Sequence, residues 1–154
     1  MIIIKKLFIY ILCLLPWFLS SLFPFNKEFY DALMLPFFTP PNIFYPIAWT
    51  FTYICISISI YKIVSNYKLN DLKRYFKILL INYIANQSFT LVFFTLKNTF
   101  LVFIACIVTF ISTLFLYEET TNLDEKSTKY LNPYVLLSLF ATVLSLTIYI
   151  LNSL

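Results

Sequence analysis

The 154-residue sequence contains no glycine and no histidine, and only 12% of its residues are charged. Without glycine there is no phosphate-cradling loop, which needs positive φ and close backbone approach, and no GxxxG motif for tight helix pairing. The absence of glycine loops argues against nucleotide chemistry. Without histidine there is no imidazole base, no Ser-His-Asp triad and no His-containing metal site. The few carboxylates fall in expected loops rather than in paired constellations, so hydrolytic catalysis has no visible apparatus and no metal site is expected. Cys13, Cys55 and Cys106 are far apart, each inside an apolar stretch, and read as small core residues rather than as a disulfide framework.

What the chain does have is apolar surface. Hydrophobic residues make up 61%, with 18 Phe and 12 Tyr, more than the core of a soluble domain this size can hide. The missing solvent is lipid, the first partner the sequence implies, and nothing points to nucleic acid. The expected fold class is all-α, an integral membrane bundle of five transmembrane helices in a single domain, 1–154. Runs of about 20 apolar residues bounded by charge, Pro or Asn predict helices over about 7–23, 43–64, 75–96, 99–117 and 133–151. Residues 24–42 form a connection stiffened by Pro24, Pro36, Pro40 and Pro41. A basic start, Lys5 and Lys6, before an apolar run also describes a signal peptide. Pro16, Trp17 and the lack of a small-x-small cleavage site favour a retained helix.

On five spans, Lys27 and Lys97 lie opposite the other nine Lys and Arg. The positive-inside rule then places the amino terminus in the cytoplasm and the Pro-rich loop outside. The expected location is a bacterial cell membrane.

Polar residues within the spans are costly in hydrocarbon and must turn inward. In the third helix Asn82 and Asn86 share a face, continued by Phe89 and Phe93 at helical spacing. Two readings stay open for these amides: glue between helices, or contacts to a ligand. In the second helix Pro46, Trp49, Thr50 and Tyr53 form an aromatic and polar stripe, either a pocket mouth or an interfacial belt. In the fifth, Tyr134, Leu137, Ala141 and Ser145 form a stripe whose default role is helix packing.

The segment from Phe29-Tyr30-Asp31-Ala32-Leu33 through Pro36, Thr39-Pro40-Pro41, Phe44, Pro46, Trp49-Thr50 and Tyr53 resembles the first-loop signature of the translocator protein family (TspO/MBR, peripheral benzodiazepine receptor-like). Asn86 with Phe93-Phe94, and Pro133-Tyr134 with Phe140-Ala141 and Asn152, resemble its third- and fifth-helix patterns. The resemblance covers about Phe29 to Asn152. It implies a five-helix bundle with a cavity lidded by the first loop, binding tetrapyrroles such as protoporphyrin as ligand rather than as cofactor. By position, Tyr30 and Pro41 belong to the lid, and Pro46, Trp49, Asn86 and Ala141 line the cavity. Tyr53, Asn82, Phe89, Phe93 and Leu137 are weaker lining candidates. Three positions depart from the pattern: Phe89 and Leu137 stand where the family has Trp, and Ser145 where it has Asn.

The leading expectation is therefore a membrane receptor for hydrophobic tetrapyrroles or related lipophilic ligands, moving or sensing them, and not an enzyme. The alternatives are a light-dependent porphyrin-degrading enzyme with Trp49 as the redox-active group, and a structural or regulatory membrane subunit. Dimers are common among relatives, and a homodimer stays open here.

Overall fold

The computed structural model describes residues 2–153. Among them the regular structure is entirely helical. The elements are α1 (Ile2–Leu14), running into a 3-10 segment Leu15–Leu22; α2 (Lys27–Asp31); α3 (Phe44–Asn66); α4 (Lys73–Thr90), entered by a 3-10 turn Leu69–Leu72 and continued by a π-helical turn Leu91–Thr95; α5 (Thr99–Leu123); α6 (Glu125–Thr128); and α7 (Asn132–Ser153), joined to α6 by the 3-10 turn Lys129–Leu131.

Four helical segments are long and apolar enough to cross a membrane: Phe44–Asn66, Leu69–Thr95, Thr99–Leu123 and Glu125–Ser153. A shorter apolar helix covers Lys6–Leu22. The packed unit places α5 against both α4 and α7, α3 against α1 and α7, and the 3-10 segment of α1 against α4.

The distribution of side chains is that of a protein dissolved in lipid. Large apolar residues such as Phe8, Ile47, Leu80, Ile84, Phe115 and Leu136 point outward, while Thr52, Ser57, Ser59, Asn82, Thr109, Thr113, Thr120 and Ser138 are buried. With no glycine available, Ser and Thr are the small residues that let helices approach. The Ser59 hydroxyl is buried without a partner, while most of the other hydroxyls are satisfied locally. Those of Ser57, Thr109, Thr113, Thr120 and Thr142 donate to the carbonyl four residues back, at 2.7 to 2.8 Å, which removes the penalty of a bare polar group in hydrocarbon.

The structure corrects several expected boundaries. The fourth helix does not stop at 117 but continues to Leu123, because Glu118 to Thr121 contain no breaker. Arg74 of α4 also pairs with Glu119 at 3.1 Å. Residues 125–131, expected as loop, are helical and begin where the Asp124 side chain caps α6 through the Lys126 N–H, 3.1 Å. Pro133 therefore lies inside a continuous helical stretch rather than at its start. The Pro-rich connection holds the short helix α2, capped by Asn26 through the Phe29 N–H. The lower half of the first helix is 3-10 rather than α from Leu15 onward, where Pro16 removes an N–H from the α-helical ladder. The turn between α4 and α5 needs a left-handed residue, and in a chain without glycine Lys97 takes it, at φ 52.

Candidate functional site

Polar groups gather at one level in the middle of the bundle. α4 presents Asn82, Asn86 and Gln87, all buried, and α3 presents Tyr53. The Tyr53 hydroxyl donates to Asn86 Oδ1 at 2.9 Å, and Gln87 Nε2 donates to the same oxygen at 2.8 Å. Asn86 is 5% exposed, and neither of these bonds uses its amide N–H groups.

Asn82, one turn earlier, is differently placed. Its Nδ2 donates to the Thr109 carbonyl, Ser112 Oγ and Thr113 Oγ1 at 2.9 to 3.1 Å, and its Oδ1 accepts from the Tyr134 hydroxyl at 2.8 Å. Both ends of this amide are consumed in tying α4 to α5 and α7, which is the glue reading.

Around these amides stands an aromatic cluster. The half-buried ring of Trp49 lies 5.6 Å from Tyr53 and 6.3 Å, edge-on, from Tyr134. Trp17, only 2% exposed, stacks on Tyr53 at 5.5 Å and meets Tyr83 and Tyr134 edge-on. Centroid spacings in this range are those of favourable aromatic pairs. Trp49 and Asn86 thus converge on one residue, Tyr53, touched at its ring by the first and at its hydroxyl by the second.

A second cluster sits beneath the loop. Tyr30 of α2 is buried against Phe93, with Val102 and Cys106 of α5, and Phe89 and Ala141 pack against them. Phe29 and Phe93 are 5.6 Å apart, edge to face. Leu137 belongs to neither cluster; it lines a groove of about 490 Å³ between α3 and α7 with Phe38, Pro40, Phe44, Phe51 and Phe140. Pro41 and Pro46 are exposed and line no part of that groove.

The structure therefore brings Trp49, Tyr53, Asn82 and Asn86 together, and Tyr30, Phe89, Phe93 and Ala141 together, while setting Pro41, Pro46 and Leu137 apart. Trp17 and Gln87 join the first group without having been singled out in sequence. Gln87 had a signal, being a third amide in the same apolar run. Trp17 had little, since a tryptophan near a helix end usually reads as a headgroup anchor.

Every polar group of this centre is neutral: three carboxamides, tyrosine phenols and threonine hydroxyls. Among the described residues no group of three or more His, Cys, Asp or Glu is placed to hold a metal. The arrangement offers hydrogen-bond donors and aromatic faces to an uncharged or delocalised ligand, and the central cluster contains no carboxylate or amine for general acid or base work.

The TspO/MBR family pattern matches residues 8–151. The tryptophan-rich protein TspO of Bacillus cereus is 40% identical over 133 residues, covering 86% of each chain. The uncharacterized membrane protein YtaB of Bacillus subtilis is 33% identical, over 85% of this chain and 84% of its own. The tryptophan-rich protein TspO of Archaeoglobus fulgidus is 32% identical over 82% of both. This chain carries only two tryptophans, Trp17 and Trp49, and both stand in the central cluster. With the match running over nearly its whole length, the chain is an integral, multi-pass membrane protein that belongs to the TspO/MBR family.

Proposed function

We propose that the protein is a receptor for a planar, hydrophobic tetrapyrrole of the protoporphyrin type, or a related lipophilic molecule, taken up at the Trp49–Tyr53–Asn86 centre. In this reading the loop of residues 24–42, which packs on the Tyr30–Phe93 cluster, is its lid. The observation that carries this reading is the Asn86 amide, whose oxygen holds Tyr53 and Gln87 in bonds that leave its N–H groups out. A buried carboxamide with N–H groups outside those two bonds, beside an aromatic cluster, is suited to a polar atom at the edge of a flat ring, with burial of the ring supplying most of the affinity. Trp49 supplies an aromatic wall.

The reading assumes five spans. From Lys6, nine α-helical residues and the eight-residue 3-10 segment, whose rise per residue is larger, extend about 30 Å, the hydrocarbon thickness of a bilayer. The first helix then crosses despite its short count of residues. The charge bias sets the amino terminus in the cytoplasm of a bacterial cell and the loop outside.

Binding is proposed rather than catalysis, since the cluster is neutral throughout. The structural-subunit reading is favoured by one residue, Asn82, whose amide is spent on neighbouring helices. Titration of the purified protein in detergent with protoporphyrin, followed by the shift of its main absorption band, separates the two. Saturable binding that weakens about tenfold in Asn86→Ala and in Trp49→Ala supports the receptor; no saturable binding leaves the structural role.

A further inference from the structure

Trp17 occupies the middle of the central aromatic cluster. Its indole is stacked on Tyr53, interplanar angle 26°, and is bounded edge-on by Tyr134 and Tyr83. Trp49 closes on the same Tyr53 and Tyr134 rings. Neither the groove between α3 and α7 nor a second one between α4 and α5, lined by Ile78, Ile81, Val108, Ile111 and Phe115, includes Trp17, Trp49, Tyr53 or Asn86. The centre is filled by the chain's own indole.

The element that carries Trp17 is unusual. The 3-10 segment Leu15–Leu22 is eight residues long, whereas 3-10 runs beyond three or four residues are uncommon because their hydrogen bonds are poorly aligned, and long ones often mark a hinge. Only a few polar contacts from α4 brace it. The Tyr83 hydroxyl donates to the Pro16 carbonyl at 2.8 Å, and the Ser20 N–H donates to Gln87 Oε1, also at 2.8 Å. Tyr83 and Gln87 are one helical turn apart, so a single face of α4 holds both ends of the segment. Gln87 in turn donates to the Asn86 oxygen, which links the brace to the amide of the proposed site.

We propose that Trp17 is a displaceable plug. The 3-10 segment moves off α4 when a planar aromatic ligand enters, and the ligand ring replaces the indole against Tyr53. This rests on the binding reading above and adds a closed, self-occupied state to it. In such a system the apparent dissociation constant is the intrinsic one divided by the fraction of molecules with the plug out. Weakening the brace must therefore tighten binding, the opposite of what damage to a binding wall produces.

The test uses the full chain in detergent and protoporphyrin as probe. Tyr83→Phe removes one hydroxyl from a half-buried residue and leaves the ring; its apparent affinity is expected to rise threefold to tenfold, with faster association. Trp17→Ala is expected to bind tighter still, by more than tenfold, and Tyr83→Phe carries the test if that variant fails to fold. Wild-type binding with unchanged or weaker affinity in Tyr83→Phe overturns the plug and leaves the receptor standing. Absence of saturable binding in every variant overturns both.

Discussion

The carboxamide of Asn152, near the end of α7, holds the peptide of Met34 from both sides: its Oδ1 accepts the Met34 N–H and its Nδ2 donates to the Met34 carbonyl, each at 3.0 Å. The same Nδ2 also reaches the Ile148 carbonyl at 2.8 Å, so the clamp is itself anchored to its helix. Met34 lies just beyond α2, and one side chain 118 positions away thereby pins the loop that carries Tyr30 over the bundle. Two neutral hydrogen bonds contribute about 1 kcal/mol each. Asn152→Leu is expected to speed amide exchange at Met34 and Leu35 on the order of tenfold, with exchange in the middle of α5 unchanged. Exchange at Met34 equal to wild type would show that the loop is held by packing of Tyr30 alone.

Asn82 is the polar hinge pin of the fold. Removing its side chain leaves the Tyr134 hydroxyl, Ser112 and Thr113 without their common partner in a lipid-surrounded core. Asn82→Ala is expected to lower unfolding stability by about 2 kcal/mol, read as a lower midpoint of thermal unfolding in detergent. Asn86→Ala, which frees Tyr53 and Gln87 to bond to each other, already 3.4 Å apart, is expected to cost less than half of that.

Lys97 is held at φ 52, where a side chain crowds the following carbonyl. Lys97→Gly is expected to stabilise the α4–α5 turn by about 1 kcal/mol. Lys97→Val, branched at the crowded carbon, is expected to do the reverse. Parallel unfolding curves of the two variants check the sign.

Asp124 caps α6 outside the membrane. The Ser127 hydroxyl that donates to its carboxylate holds its pKa below the ordinary carboxylate value, assisted by the Lys126 N–H and the charge of Lys62 and opposed by partial desolvation. A carboxyl with a lowered folded pKa adds stability at pH above its unfolded value and loses it as pH falls through the folded one. Protection of the Lys126 and Ser127 amides from exchange is therefore expected to be constant at neutral pH and to fade only below about pH 4. Asp124→Asn, which keeps an acceptor without a charge, is expected to remove that acid dependence.

Much of the fold was legible in sequence because transfer from water to lipid adds up residue by residue. Runs near Phe44, Tyr75 and Thr99 identify their helices without knowledge of any neighbour. Boundaries were legible where a breaker stands, as at Lys97-Asn98, and misread where charge alone was taken as a stop. Glu118, Glu119 and Glu125 are all helical, since carboxylates at a membrane surface neither break a helix nor need to leave it. The inward turn of Asn82 and Asn86 also followed from chemistry, because hydrocarbon offers no partner for an amide.

Sequence by itself determined a helical, membrane-embedded chain of the TspO/MBR family with amides turned away from lipid. Only the tertiary structure decided what those amides meet. One turn apart on α4, Asn82 spends both ends on α5 and α7, whereas Asn86 gathers Tyr53 and Gln87 at its oxygen. Tertiary structure also placed Trp17, not singled out as a site residue in sequence, in the centre of the cluster. Burial preference is a property of a side chain, but the partner it finds depends on which helices converge at its depth, and that is set by the packing of the whole bundle.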